Sequence, residues 1–261
     1  MEQHLIRKIV KVGNSAGVIL PREWYGGEAK IELIEKPLDI KNDILKILSP
    51  YLNSILGIYL VGSYARNEQT GRSDVDVLAI TSDIDKRVKS GKYDILMVSE
   101  EKLHHLLKKN ILPLLPMIKE AKAILNSNLI NEYFDISLNR DNLKFHIETT
   151  KSAMGVVKAY IDLCKEEGEK FVSDASAYSL ILRLRGIYIV KCLIDRREYT
   201  NRDFLAFVKK IAGSKDAYDG YLRVKDETKG GKKLLVEEAQ KLHDYILKKI
   251  KEQERWVKRK K

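Results

Sequence analysis

Apolar positions along the chain change their period twice. Over residues 1–36 they fall in the short runs LIRKIVKV, GVIL and AKIELIE, separated by the turn signals Gly13-Asn14 and Gly26-Gly27, and this predicts short strands. A second pattern begins after Pro37. In 39–55 (DIKNDILKILSPYLNSI), Ile40, Ile44, Ile47 and Leu48 stand at helical spacing until Pro50 interrupts them. GIYLVGS, DVDVLAIT and KYDILMVS then read as strands, the first ending on a Gly-Ser turn and the third entered through a turn at Gly91. Helical periodicity covers 100–109 and 113–132, and from 143 onwards it is nearly continuous. The stretch 176–194 is strongly apolar with Arg183 and Arg185 embedded in it, 201–211 opens on Asn201 as an N-cap, and 233–257 places Leu234, Leu235, Leu242, Ile246 and Ile250 on one side.

These periods predict an α+β chain in three regions: a small N-terminal β segment (1–36), a mixed sheet with helices (37–142) and a helical bundle (143–261). Thirty-six residues are too few for an independent core, so the first region is expected to dock on another surface or to pair with a second chain as a homodimer.

The chemistry concentrates between Leu60 and Ile80, LVGSYARNEQTGRSDVDVLAI. Side chains alternate along a strand, so Asp74 and Asp76 point to one face and Val75 and Val77 to the other. Two adjacent carboxylates repel unless a cation lies between them, and Mg²⁺ prefers such oxygen ligands while sharing its remaining positions with water and phosphate. Gly62 and Ser63 can offer backbone N–H groups and a hydroxyl to a phosphate, and Arg66 and Arg72 lie in the turn between, where either could contact a triphosphate. The set suits in-line attack on a nucleotide α-phosphate with two metal ions. An isolated Asp-x-Asp is most often a pair of surface residues. The order strand, Gly-Ser, then Asp-x-Asp with Asp74 eleven positions after Ser63, is far more specific.

With hydrophobic-Gly-Ser, Ala65-Arg66 and Ser73-Asp74-Val75-Asp76 in this order, the chain resembles the nucleotidyltransferases of the DNA polymerase beta superfamily, in particular their minimal prokaryotic group. The resemblance implies triphosphate binding by Gly62, Ser63 and Ser73, metal ligation by Asp74 and Asp76, and a third carboxylate on a neighbouring strand that helps to activate the acceptor hydroxyl. Asp94, entering the apolar strand KYDILMV, is the candidate, and Asp135 in YFDISL is the fallback. Asn67 stands where that family usually has glycine; asparagine tolerates the left-handed backbone, so the turn is expected to survive. The implied activity is Mg²⁺-dependent transfer of NMP, AMP from ATP foremost, to a hydroxyl of a protein, an RNA or a small molecule. The segment KVGNSAGVILPREWYGGEAKIELIE resembles the swapped hairpin of AbrB-type regulators and MazE-type antitoxins, with Arg7, Lys8, Lys11 and Arg22 as implied DNA contacts. A rival reading follows from it: a DNA-binding or antitoxin-type regulator that keeps the catalytic fold as a nucleotide sensor or scaffold. The helical region resembles HEPN-class bundles, although neither Arg183 nor Arg185 is followed by a histidine at the spacing of their ribonucleases.

Composition adjusts this picture at the margins. The formal net charge is +11, and residues 222–261 alone hold 14 Lys/Arg against 7 Asp/Glu, an excess that suits nucleic acid, ATP or an acidic partner as well as a solvated helix face. Cys164 and Cys192, both in helical sequence, imply neither a disulfide framework nor a zinc site. No apolar run approaches the roughly 20 residues of a membrane span, and the expected location is the cytoplasm. His104 and His105, adjacent on a helix, diverge and are expected to be surface or packing residues. Tyr178 and Tyr188 follow the apolar pattern as core residues, whereas Tyr218 and Tyr221 beside Gly220 could reach a base or a partner. For Arg183 and Arg185, which cannot share one helix face, the expectation is that one closes the nucleotide site and the other pairs with an acid, or that each is a satisfied structural arginine.

Overall fold

The computed structural model describes residues 5–33, 38–71 and 73–259, and its contacts divide the chain into two units, Met1–Asp39 and Ile40–Lys261. In the first unit, β1 (Ile9–Val12) pairs antiparallel with β2 (Ser15–Val18) through a turn at Gly13, whose φ of +59° needs a residue without a Cβ. A short 3-10 turn covers Arg22–Trp24. The third expected strand, AKIELIE, does not form over its described residues 29–33: nothing pairs with it, and Ile31 and Leu33 stay exposed. Arg7, Lys8, Lys11 and Arg22 are all exposed on this unit.

The second unit opens with α1 (Ile40–Leu48), which stops where Pro50 begins a 3-10 turn over Ser49–Ser54, as expected from the broken periodicity. Five strands follow: β3 (Ile55–Val61), β4 (Val75–Thr81), β5 (Lys86–Ser90), β6 (Tyr93–Ser99) and β7 (Lys122–Leu125), in the order β5-β6-β4-β3-β7. β4 and β6 run parallel and every other pair antiparallel. Two parallel neighbours need a crossover; here β5 supplies it by lying on the far side of β6. β5 (KRVKS) has no apolar alternation and is absent from the sequence reading. A polar, charged strand at a sheet edge discourages pairing with another chain.

Strand alternation sends two apolar sets to opposite faces. Ile58, Val75, Val77, Ala79, Tyr93, Ile95 and Met97 pack with Ile44 and Leu48 of α1. Tyr59, Val61, Leu78, Ile80 and Val98 enter the larger core with the remaining helices. Those helices are α2 (Gly62–Ala65), α3 (Glu100–Lys109), α4 (Leu115–Glu120), α5 (Ser127–Asn131), α6 (Arg140–Glu166), α7 (Asp174–Ile194), α8 (Asn201–Ala212), α9 (Asp216–Lys225) and α10 (Val236–Arg259). The expected helix 113–132 is corrected to α4, β7 and α5. KAIL pairs with β3, and Asn126, in the left-handed region at φ +58°, turns the chain into α5 and accepts from the Leu129 N–H. Thr200 rather than Asn201 caps α8, its hydroxyl accepting from the Asp203 N–H at 3.0 Å. The expected boundary at 142/143 falls inside α6, whose buried Leu143, Ile147 and Met154 share one core with β3 and β4. No helix among the described residues is long and apolar enough to cross a membrane.

Candidate active site

The parallel register of β4 and β6 sets Asp76 directly beside Asp94. On both strands the flanking residues Val75, Val77, Tyr93 and Ile95 face α1, so the two carboxylates project from the opposite face, the one covered further along by the helices. Asp74, exposed just before β4, adds a third negative charge. Burial raises the pKa of Asp76, and the charges of Asp94 and Asp74 push it further up, with Lys225 acting in the other direction. Asp135, the fallback for the third carboxylate, lies exposed between α5 and α6 and has no place in the β4–β6 register.

Gly62 ends β3 with φ +70°, and a Cβ built there would stand 2.2 Å from Oδ2 of Asp76. The glycine is therefore what lets the carboxylate lie against the strand end. Its N–H, the donor expected to meet a phosphate, donates to Oε1 of Glu120 at 2.6 Å, and Oε2 of Glu120 accepts from Nη1 of Arg66 at 2.5 Å. A carboxylate thus holds the two donors expected to serve the triphosphate. Arg66 also donates to Glu68 at 3.0 Å, and Glu68 in turn accepts the Asn201 N–H, which ties this turn to the start of α8. Asn67 takes the left-handed conformation at φ +57°, as expected for its place in the turn. The Ser73 hydroxyl accepts from the Thr70 N–H at 2.8 Å and so closes the turn locally. Ser63 lies half-buried on α2; Arg72 lies outside the described residues.

Asp94 is held by a bidentate fork from Arg87 of β5, at 2.6 and 2.7 Å, with Lys89 at 3.8 Å. The hydrogen-bonded guanidinium keeps the Asp94 carboxyl below the ordinary range despite partial burial. Among the described residues no three His, Cys, Asp or Glu side chains are gathered as a ready cage for a metal ion. The donor set fits Mg²⁺, because it is all oxygen and brings Asp94 and Asp74 close enough to Asp76 to add to burial in raising its pKa.

From the bundle, Tyr199 lies under two guanidiniums, Arg66 at 5.5 Å and Arg185 at 5.2 Å from the ring centroid. Arg185 also lies beside the Tyr221 hydroxyl, and Lys225, one turn further along α9, is the residue whose charge reaches Asp76. Arg183 points elsewhere and donates to Thr149 at 3.3 Å, so among the described residues neither arginine pairs with an acid as one alternative had it. Glu120, Glu68, Arg87 and Tyr199 were not singled out in the sequence. Arg87 hides in a strand without apolar signal, and Glu120 reads as the polar end of an ordinary helix.

Residues 41–134 match the family model described as a nucleotidyltransferase domain. This segment is similar to nucleotidyltransferase domains. It contains the Gly-Ser turn, Asp74, Asp76, Asp94 and Glu120, so family match and geometry coincide. No curated protein matches the chain. Among solved structures, it is similar to spectinomycin adenyltransferase AAD(9) from Enterococcus faecialis with ATP and spectinomycin, at 14% identity and TM-score 0.40 over 80% of this chain and 97% of that one. It is also similar to a nucleotidyltransferase-like protein from Exiguobacterium sibiricum, at 14% identity and TM-score 0.34 over 82% and 75%. Likenesses this distant carry no weight for the site. The AbrB-like and HEPN-like resemblances of the flanking regions find no counterpart in these matches.

Proposed function

We propose that the nucleotidyltransferase domain transfers NMP, AMP from ATP foremost, to an acceptor hydroxyl. The observation that carries this is the side-by-side register of Asp76 and Asp94, with Asp74 close by and Gly62 leaving room for the Asp76 carboxylate. Asp74 and Asp76 would hold Mg²⁺, with Asp94 completing the set, and the metal would supply charge neutralisation for the attacking and leaving oxygens. The chain's own residues do the rest. The Gly62 N–H, Ser63 and Arg66 bind and orient the triphosphate once Glu120 yields them. Asp94, kept ionised by Arg87, accepts a hydrogen bond from the acceptor hydroxyl and takes its proton. The hydroxyl oxygen bonds to the α-phosphorus, the bond from that phosphorus to the oxygen bridging to the β-phosphate breaks, and pyrophosphate departs.

Incubation with each α-labelled NTP and Mg²⁺, with cell lysate and total RNA offered separately, tests this. Label is expected in an acceptor band with wild type and absent with Asp74→Ala/Asp76→Ala. Measurable MgATP binding without transfer from any nucleotide to any acceptor would shift the assignment to a nucleotide-sensing regulator.

A further inference from the structure

Two cations on the bundle side of this site form no ion pair with a carboxylate among the described residues. Arg185 has no carboxylate partner among the described residues, and its Nε is buried with no hydrogen-bond partner at all. Its neighbours are the Tyr199 ring, Tyr221 and a second positive charge, Arg66. A partly buried guanidinium in such company is costly to keep unless an anion meets it. Arg66 offers the contrast, since Glu68 and Glu120 already satisfy it. Lys225 forms no ion pair among the described residues either, although Asp76 feels its charge. Tyr221 and Lys225 are four residues apart on α9 and so lie on one helix face. Tyr218 adds a third ring, 5.8 Å from that of Tyr221. The acids nearest this surface are engaged: Glu68 by Arg66 and the Asn201 N–H, Asp219 by Lys215, Asp174 by Arg223.

We infer that this surface of α7, the start of α8 and α9 is the acceptor subsite, and that it takes a nucleotide unit through a phosphate that meets Arg185 and Lys225. The inference rests on the transferase reading and narrows its acceptor. Guanidinium and ammonium groups meet phosphate oxygens, whereas the tyrosine rings are packed already: Tyr221 is buried and stacked on Tyr178 at 5.3 Å, and Tyr199 lies under Arg66 and Arg185. The cations of this surface disfavour a polycationic acceptor. The nucleotide unit can be free or can be the 3′ end of an RNA, both of which carry the hydroxyl that the reaction needs.

The test is fluorescence anisotropy of the full chain with a short 5′-fluorescein oligoribonucleotide, competed by a free mononucleotide, with MgATP binding measured separately by thermal shift. Lys225→Ala changes an exposed residue and is expected to fold; Arg185→Lys keeps the charge, and Arg185→Ala removes it. Lys225→Ala and Arg185→Ala are expected to weaken oligoribonucleotide binding about tenfold each, with Arg185→Lys less affected and MgATP affinity changing by less than the oligoribonucleotide affinity, since Arg185 shares the Tyr199 ring with Arg66. Competition at equal phosphate concentration assigns the free nucleotide as ligand, and its failure assigns the RNA end. Unchanged oligoribonucleotide binding in folded Lys225→Ala and Arg185→Lys would overturn the inference, as would a parallel tenfold loss of MgATP affinity, which would place both cations in the donor site. Absence of MgATP binding by wild type would count against the transferase reading alone, since the anisotropy does not depend on it.

Discussion

At the scale of single residues, the site is organised by one carboxylate that belongs to no expected motif. Glu120 takes the Gly62 N–H and the Arg66 guanidinium, the donors a triphosphate would need. A charged hydrogen bond contributes about 1.5–3 kcal/mol, so a phosphate that replaces this carboxylate gains only the difference between two anions. Glu120→Ala is therefore expected to bind MgATP about tenfold more tightly than wild type while its apo form unfolds a few degrees earlier. Isothermal titration with paired melting curves measures both effects. Weaker MgATP binding in the variant would make Glu120 a group that positions Arg66 rather than a competitor. Gly62 and Asn67 show how far a sequence can be read at this scale: both special backbone conformations follow from residue type and from the motif. Glu120 does not, because its role depends on the tertiary approach of α4, fifty-eight positions after Gly62.

At the scale of elements, legibility followed periodicity. β3, β4, β6, α1 and α3 have clear apolar patterns and stand where these predict them, and so does the helical bundle. β5 and β7 do not: KRVKS has Val88 as its one apolar residue, and KAIL is a four-residue strand whose only strand signal is its pairing with β3. Both are edge strands, which bury little and so leave little trace in the pattern. The seam of α6, α7 and α10 contains a second polar feature that periodicity conceals. His146 is buried, contacts Oε1 of Gln253 at 3.2 Å, and fills the space left by Gly186, where a Cβ would lie 2.8 Å from its ring. Burial pulls its pKa from 6.5 to about 4. The unfolded chain therefore takes up a proton near pH 6.5 that the folded chain refuses until about pH 4, so stability is fully present above the first value and declines as pH falls towards the second. The loss over that window amounts to about 3 kcal/mol at most. Urea denaturation of His146→Gln across this range is expected to show a flatter acid limb than wild type, whatever its stability at neutral pH. Equal slopes would mean that another group governs the acid limb.

At the scale of the whole molecule, the two units differ in kind. Ile40–Lys261 encloses two apolar layers around its sheet, whereas none of the described residues of Met1–Asp39 is buried. The small unit exposes Ile6 at 80%, Ile19 at 70%, Ile31 at 65% and Tyr25 at 97%. Its hairpin leaves both outer edges unpaired, and the apolar segment beginning at Ala29 has no strand beside it over 29–33. Unpaired edges and uncovered apolar side chains are relieved together when identical segments interleave, because each copy supplies the strand the other lacks. A second copy of this chain is accordingly the expected occupant. Light scattering coupled to size exclusion should find the full chain as a dimer, and a chain beginning at Leu38 as a monomer that still binds MgATP, since the catalytic residues and their core all lie beyond that point. A monomeric full chain would mean that something other than a second copy covers this segment. A shortened chain that stays dimeric would move the interface to the larger unit, where the exposed Phe145, Val156 and Leu163 of α6 would be the first residues to substitute.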